Sequence, residues 1–288
     1  MSRLVILYGI GGLSDVGRHA VRAALDNSNV AKICVLTQHP ELLELPNWKC
    51  SCPDPHTFTD EERKRFEVVP VKEWNDQGLT AHFKDATAVI SCLGNRQPGL
   101  FEPELKKGWV SHAGNKLVVE AVQEHNIKRV VVMSSVGVAE GESILQLISI
   151  SYFPCSFDTK FTQLIPKIDW PCLEFFTMGR IILGALFVIP GLARRAYKDL
   201  SKADELYRAT DEASIDYLLV RPVGLGDEVV PVGTWQLQKK KYVDTVGMNM
   251  AKLDCARFML QEALEPTLHR KAVVIGSVEE TKTSTEQN

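Results

Sequence analysis

The chain has 288 residues, 45% of them hydrophobic and 24% charged, with a net charge of −3. This is the balance of a soluble globular protein with a sizeable core, and it gives no electrostatic case for nucleic acid as a partner. The seven cysteines are odd in number and partly embedded in apolar runs (Cys34, Cys92), which points to the cytoplasm or another reducing intracellular compartment and away from secretion.

In chain order, LVILYG (Leu4–Gly9) predicts a strand and Val16–Asp26 a helix, with a glycine cluster between them. A strand starting at Leu4 leaves no room for a leader peptide. KICVLT (Lys32–Thr37) predicts the second strand. The polar, proline-bearing stretch Gln38–Glu62 then reads as an exposed loop. Strands follow at Phe66–Val71, Ala88–Gly94, Arg129–Ser135, Asp216–Pro222 and Ala272–Ser277, with helices at Gly114–His125, Leu200–Ala213 and Ala251–Glu265. Apolar runs without polar alternation suit strands buried on both faces, and their alternation with helices predicts a doubly wound α/β parallel sheet. Residues 1–278 read as one domain and 279–288 as a disordered tail with no apolar residue.

One long segment breaks this rhythm. Val138–Arg195 is apolar and aromatic, holds Trp170, Phe175, Phe176 and Phe187, and follows a strand end, where open α/β sheets bind their ligands. Its most apolar part, Ile181–Ala193, is too short to span a bilayer and is broken by Pro190 and Gly191. As a lid, the segment would close over an apolar substrate. As a docking surface, residues 170–195 would meet a protein or a membrane, with Arg180, Arg194 and Arg195 beside the apolar run.

Gly9, Gly11, Gly12 and Gly17 stand between the first strand and the first helix. In a dinucleotide turn, glycines allow the tight bend, the approach of backbone to pyrophosphate and the packing of helix on strand. Here the last glycine comes later than in the usual spacing, so the loop is longer; an ordinary βα turn is the alternative. The second strand ends in TQHP (Thr37–Pro40), with neither the acid that reads a ribose nor an arginine for a 2′-phosphate. Gln38 is the polar candidate there, and Arg18 is the nearest cation to a 2′-phosphate, unless it is a solvated helix residue. The expected cofactor is NADP(H) or NAD(H), with the choice open.

Two rival constellations fail. Cys50, Cys52 and His56 lie close together, but no second ligand pair accompanies them, so no metal is expected. Gly12–His19 has the glycine spacing of a P-loop without its G-K-[ST] ending.

From Asp85 onward four stretches come in a familiar order: DATAVISCLGNRQ, GNKLVVEAVQEHNIKRVVVMSSVGV, SKADELYRATDEASIDYLLVRPVGLGD and KLDCARFMLQEAL. They resemble the atypical short-chain dehydrogenase/reductases with an NAD(P)H-binding domain, among them the NmrA-like proteins and the flavin/biliverdin reductases. The resemblance implies a Rossmann-type fold. It places Leu93, Gly94 and Asn95 along the adenosine half of the cofactor, and Ser134 and Ser135 beside the nicotinamide, with Pro222 and Val223 lining its face. A serine at the position of Ser135 lies in the active site of the flavin/biliverdin reductases; here a strand-end cap is the other reading. The acid that often follows the third strand is Val71 in this chain.

Tyrosine-dependent members of this superfamily use Tyr-x-x-x-Lys, a spacing that puts both side chains on one helix face. Lys202 stands where that lysine is expected, but Lys198 occupies the position four residues earlier and Tyr197 is five back. Three readings stay open: Tyr197 reaches the site, the chain works with little acid–base help, or it binds nucleotide without turnover. Lys202 has its own alternative as a solvated helix lysine. The preferred expectation is NAD(P)H-dependent reduction of a small apolar or aromatic acceptor, such as a flavin, tetrapyrrole, quinone or enone. The alternative is a non-catalytic NAD(P)-binding regulator or accessory subunit.

Overall fold

Uninterrupted Val, Ile and Leu runs bury both faces of a strand, and here they build the centre of a sheet. The computed structural model describes residues 2–9, 12–44, 58–94, 110–135, 138, 192–226, 231–238, 246 and 249–277. Its strands are β1 (Ser2–Tyr8), β2 (Val30–Thr37), β3 (Phe66–Pro70), β4 (Ala88–Cys92), β5 (Arg129–Met133), β6 (Asp216–Pro222), β7 (Gly224–Gly226), β8 (Gln236–Leu237), β9 (Asn249–Ala251) and β10 (Lys271–Gly276). The main sheet has 8 strands in the order β3-β2-β1-β4-β5-β6-β10-β8; all neighbours pair parallel except β10 and β8. β7 and β9 form a separate parallel pair.

The helices are α1 (Gly12–Asp26), the short α2 (Asp60–Arg63), α3 (Val110–Glu124), α4 (Leu192–Arg208) and α5 (Lys252–Leu264). Alternate side chains of β1 sort them into two layers. Leu4, Ile6 and Tyr8 pack with Val16 and Ala20 of α1 and with Phe258 and Met259 of α5. Val5 and Leu7 face the opposite layer, with Leu117 and Val118 of α3 and Tyr207 of α4.

Every strand foreseen from the sequence is present, with ends shifted by a residue or two. Three of the expected helices start earlier, α1 at Gly12 inside the glycine cluster, α3 at Val110, and α4 at Leu192 inside the segment expected to be an insertion, while α5 starts one residue later, at Lys252. The stretch expected to be a plain loop has structured ends. Pro40–Glu44 forms a 3₁₀ turn, and Thr59 opens α2 with a reciprocal capping box to Glu62. Trp170, Phe175, Phe176, Phe187, the Cys50–His56 cluster and the tail from Glu279 lie outside the described residues.

The sheet edge at the strand N-termini is held by a buried polar knot. Arg129 donates to Glu262 Oε2, Asp216 Oδ2 and the carbonyls of Glu262 and Leu268, at 2.9–3.0 Å. Glu262 also accepts from the backbone N–H groups of Thr267 and Leu268, each at 3.1 Å.

Candidate functional site

Strand order reverses between β1 and β4, and the C-terminal strand ends on either side of this switch point form one edge. Tyr8 lies opposite both Thr37 and Cys92, and Met133 lies opposite Val220. Gly9, Gln38, Leu93, Ser134 and Arg221 are each within a residue of those positions. The ends of five strands therefore bring most of the candidate residues to one edge.

Gly17 sets the depth of the crevice. A Cβ on it would stand 2.5 Å from Tyr8 Cβ and 3.0 Å from Cys92 Cβ, so α1 lies directly on β1 and β4. This is the helix-packing role of the last glycine in a dinucleotide turn, and it brings the α1 N-terminus, with its free N–H groups and positive dipole end, to the switch point. Gly9 is buried and Gly12 is the first residue of α1; Gly11 lies outside the described residues. Asp15, in the first turn, pairs with Lys252 Nζ at 2.9 Å and stands 4.0 Å from Arg18 Nε.

Arg18 is a buried residue, 8% exposed, not a solvated one. Its charge acts on Tyr8, whose hydroxyl contacts the His39 carbonyl at 3.4 Å and whose pKa burial pushes up to about 12. Gln38 is half-buried and donates its side-chain amide to the Lys72 carbonyl at 3.2 Å. Val71 is buried in the core.

Leu93 and Gly94, past β4, are buried, while Asn95 lies outside the described residues. The Leu93 carbonyl accepts from Ser111 Oγ at 3.1 Å. The N–H groups of Ser111 and His112, in the first turn of α3, donate to the two carboxylate oxygens of Asp199 on α4, at 2.9 and 3.3 Å. Past β5, Ser134 is fully buried; its N–H donates to the Val220 carbonyl at 2.7 Å and its Oγ to Asp204 at 3.1 Å. Ser135 is half-buried, Pro222 buried, and Val223 half-buried at the end of β6.

α4 presents Asp199, Leu200, Ala203, Asp204 and Tyr207 to the interior. Lys202 and Lys198 are exposed. Tyr197 belongs to α4, but its side chain lies outside the described residues. Lys202 is thus not brought together with the strand-end serines in the buried layer. Instead, two buried aspartates of the same helix reach the ends of β4 and β5. Sequence reasoning missed both, along with Lys252. One signal was available: Arg221 interrupts the apolar run of β6, and a buried arginine requires a carboxylate near it.

Among the described residues, one cluster offers metal-ligand atoms within 4.8 Å of one another: Cys34, Glu67 and His82. It lies away from the switch point. Arg3 stands against the thiol and donates to the His82 carbonyl at 3.1 Å, which opposes a cation there.

Residues 11–149 match a family model described as NAD(P)H-binding. This stretch is an NAD(P)H-binding domain. The domain begins in the glycine loop and runs past Ser134 and Ser135. No curated protein matches the sequence. Solved structures share the fold over nearly the whole chain. A short-chain dehydrogenase/reductase from Veillonella parvula, solved in complex with NADP, is 13% identical with a TM-score of 0.56, over 96% of this chain and 94% of that one. The oxidoreductase ylbE of Lactococcus lactis is 14% identical with a TM-score of 0.56, over 96% and 90%. ChuY, an anaerobillin reductase of Escherichia coli O157:H7, is 13% identical with a TM-score of 0.56, over 97% and 98%. The NAD(P)H-binding domain thus sits in a Rossmann-like sheet of the kind these proteins share. Among the described residues, no helix is long and apolar enough to cross a membrane.

Proposed function

We propose that the protein is an NAD(P)H-dependent reductase of a small apolar or aromatic acceptor, such as a flavin, tetrapyrrole, quinone or enone. The observation that carries this reading is the close seat of α1 on β1 and β4 at Gly17, with the Ser134–Ser135 turn on the same sheet edge. Bound there, the reduced nicotinamide supplies a hydride. Gly9, Gly11, Gly12 and the α1 N-terminus hold the pyrophosphate, and Gln38, Leu93, Gly94 and Asn95 border the adenosine. Arg18, buried beside the end of β1, favours a 2′-phosphate and hence NADPH over NADH. Ser134, Pro222 and Val223 border the nicotinamide, and Ser135, Lys202 and Tyr197 are the groups available to a bound acceptor. Residues 138–195 would serve as its lid. The fold shared with an anaerobillin reductase puts tetrapyrroles first among the acceptors to assay.

The exposed Lys202 favours a second reading, a non-catalytic NAD(P)-binding regulator or subunit, for which residues 170–195 would be the contact surface. Calorimetric titration with NADPH and NADH, on the wild type and on Gly12→Asp, comes first. An acceptor screen with flavins, quinones and tetrapyrroles follows. Binding abolished by the substitution, together with turnover, supports the reductase. Binding without turnover on any acceptor class supports the regulator, and no binding of either nucleotide overturns both.

A further inference from the structure

Among the described residues, two ion pairs with both side chains buried tie the main sheet to a helix, and they lie at opposite edges. The Arg129–Glu262 pair ties down turns at the strand N-termini. The other stands at the site edge: Asp204 of α4, 3% exposed, accepts from Arg221 Nη2 at 2.9 Å and from Ser134 Oγ at 3.1 Å, both on Oδ2. Packing α4 on β6 does not require a charge, since a well-packed hydrophobic pair does that as well or better. What a hydrophobic pair cannot do is hold the hydroxyl of Ser134, the first residue after β5.

We propose that Asp204 is a positioning residue: it fixes the Ser134–Ser135 turn against the nicotinamide, while Arg221 holds its carboxylate in place. This rests on the reductase reading above. An ionised carboxylate only accepts hydrogen bonds, so Ser134 is bound as a donor and its side chain has one orientation. The backbone of Ser134 is meanwhile pinned to β6 through the Val220 carbonyl. The turn continues from there, with Val138 N–H donating to the Ser135 carbonyl at 2.9 Å. The turn is therefore held on two sides before any ligand arrives, the preorganisation that a hydride transfer depends on. Burial holds the pKa of Asp204 above the ordinary carboxylate value, opposed in part by the hydrogen bond and charge of Arg221, the Ser134 hydrogen bond and the charge of Arg208. The same helix, through Asp199, holds the first turn of α3 beside the end of β4. α4 thus meets the end of β5 directly through Asp204 and the end of β4 only by way of α3.

The test uses Asp204→Asn and Ser134→Ala in the full chain, with three readouts. These are NADPH affinity by calorimetry, kcat and KM with an active acceptor, and amide hydrogen exchange across residues 129–138 with and without NADPH. In the wild type, NADPH is expected to protect the amides of the turn. In Asp204→Asn, NADPH affinity stays within about threefold because the adenosine side is untouched. Protection of the turn is lost and kcat falls on the order of 10²-fold, with KM for NADPH little changed. Ser134→Ala gives the same pattern, and the double variant adds no further loss. If Asp204→Asn does not fold, Ser134→Ala decides, since it removes one hydrogen bond and keeps the ion pair. Full turn protection and unchanged kcat in a folded variant overturn the proposal alone. A wild type that does not bind NADPH overturns the reductase reading, and the proposal with it. If the wild type binds without turnover, hydrogen exchange alone decides the positioning role.

Discussion

Lys252, the first residue of α5, pairs with Asp15 in the first turn of α1 at 2.9 Å, so the helix end that faces the crevice carries its own counter-charge. An acid near a helix N-terminus is favourable when nothing else binds there, but it competes with an incoming phosphate. Lys252 is 6% exposed, while its partner Asp15 is half-buried. Replacing Lys252 with Met is expected to weaken NADPH binding about fivefold, the equivalent of ~1 kcal/mol. Adding Asp15→Asn should restore it. Calorimetric titration of the three proteins measures both effects.

Gly17→Ala puts a methyl 2.5 Å from Tyr8 Cβ, where neither partner is the end of a flexible chain. The helix must move off the sheet. The expected cost is about 1–3 kcal/mol of stability, read from urea denaturation. NADPH binding should fall more than that loss explains, because in the proposed site the displaced helix end meets the phosphates.

Arg18→Met tests the choice of nucleotide. The side chain is long enough to keep the packing around Tyr8 while removing the charge. NADPH affinity should fall about tenfold or more while NADH affinity stays unchanged, since only the 2′-phosphate loses a charged partner. Equal losses for both nucleotides would mean that Arg18 serves the fold and not the 2′-phosphate.

Glu62 gives a pH signature away from the site. Its hydrogen bond with Arg22, together with those from Thr59, holds its carboxyl down at about 2 against the ordinary 4.5. A depressed carboxylate contributes fully above its unfolded pKa and loses that contribution as pH falls through the folded one. Wild type is therefore expected to be more stable than Glu62→Gln at neutral pH. The difference should close between about pH 4.5 and about pH 2 in urea denaturation followed across that range.

Strand positions were legible because Ile33–Leu36, Ala88–Ile90 and Val130–Met133 are apolar without interruption, a pattern that suits a strand buried on both faces. The start of α1 was less legible: Gly12 is a poor helix former, and it begins the helix because Gly17 lets the next turn sit on Tyr8. The short β7, β8 and β9 were not legible at all, since two or three residues carry no periodicity. At the candidate site, the place of Gly9, Gly17 and the Ser134–Ser135 pair at strand ends or on the helix after the first strand could be read from spacing and resemblance. Asp199 and Asp204 could not, because their partners are a helix end and a strand end distant in sequence, and an acid beside an apolar helix stripe looks like an ordinary surface charge.

The Arg129 knot fastens the strand beginnings, the end of α5 and the turn after it with charged hydrogen bonds that no residue of the crevice shares. Rigidity and the proposed recognition thus fall on opposite rims of one sheet. On that reading a designer could rewrite the proposed acceptor rim, residue by residue, against a foundation that stays intact.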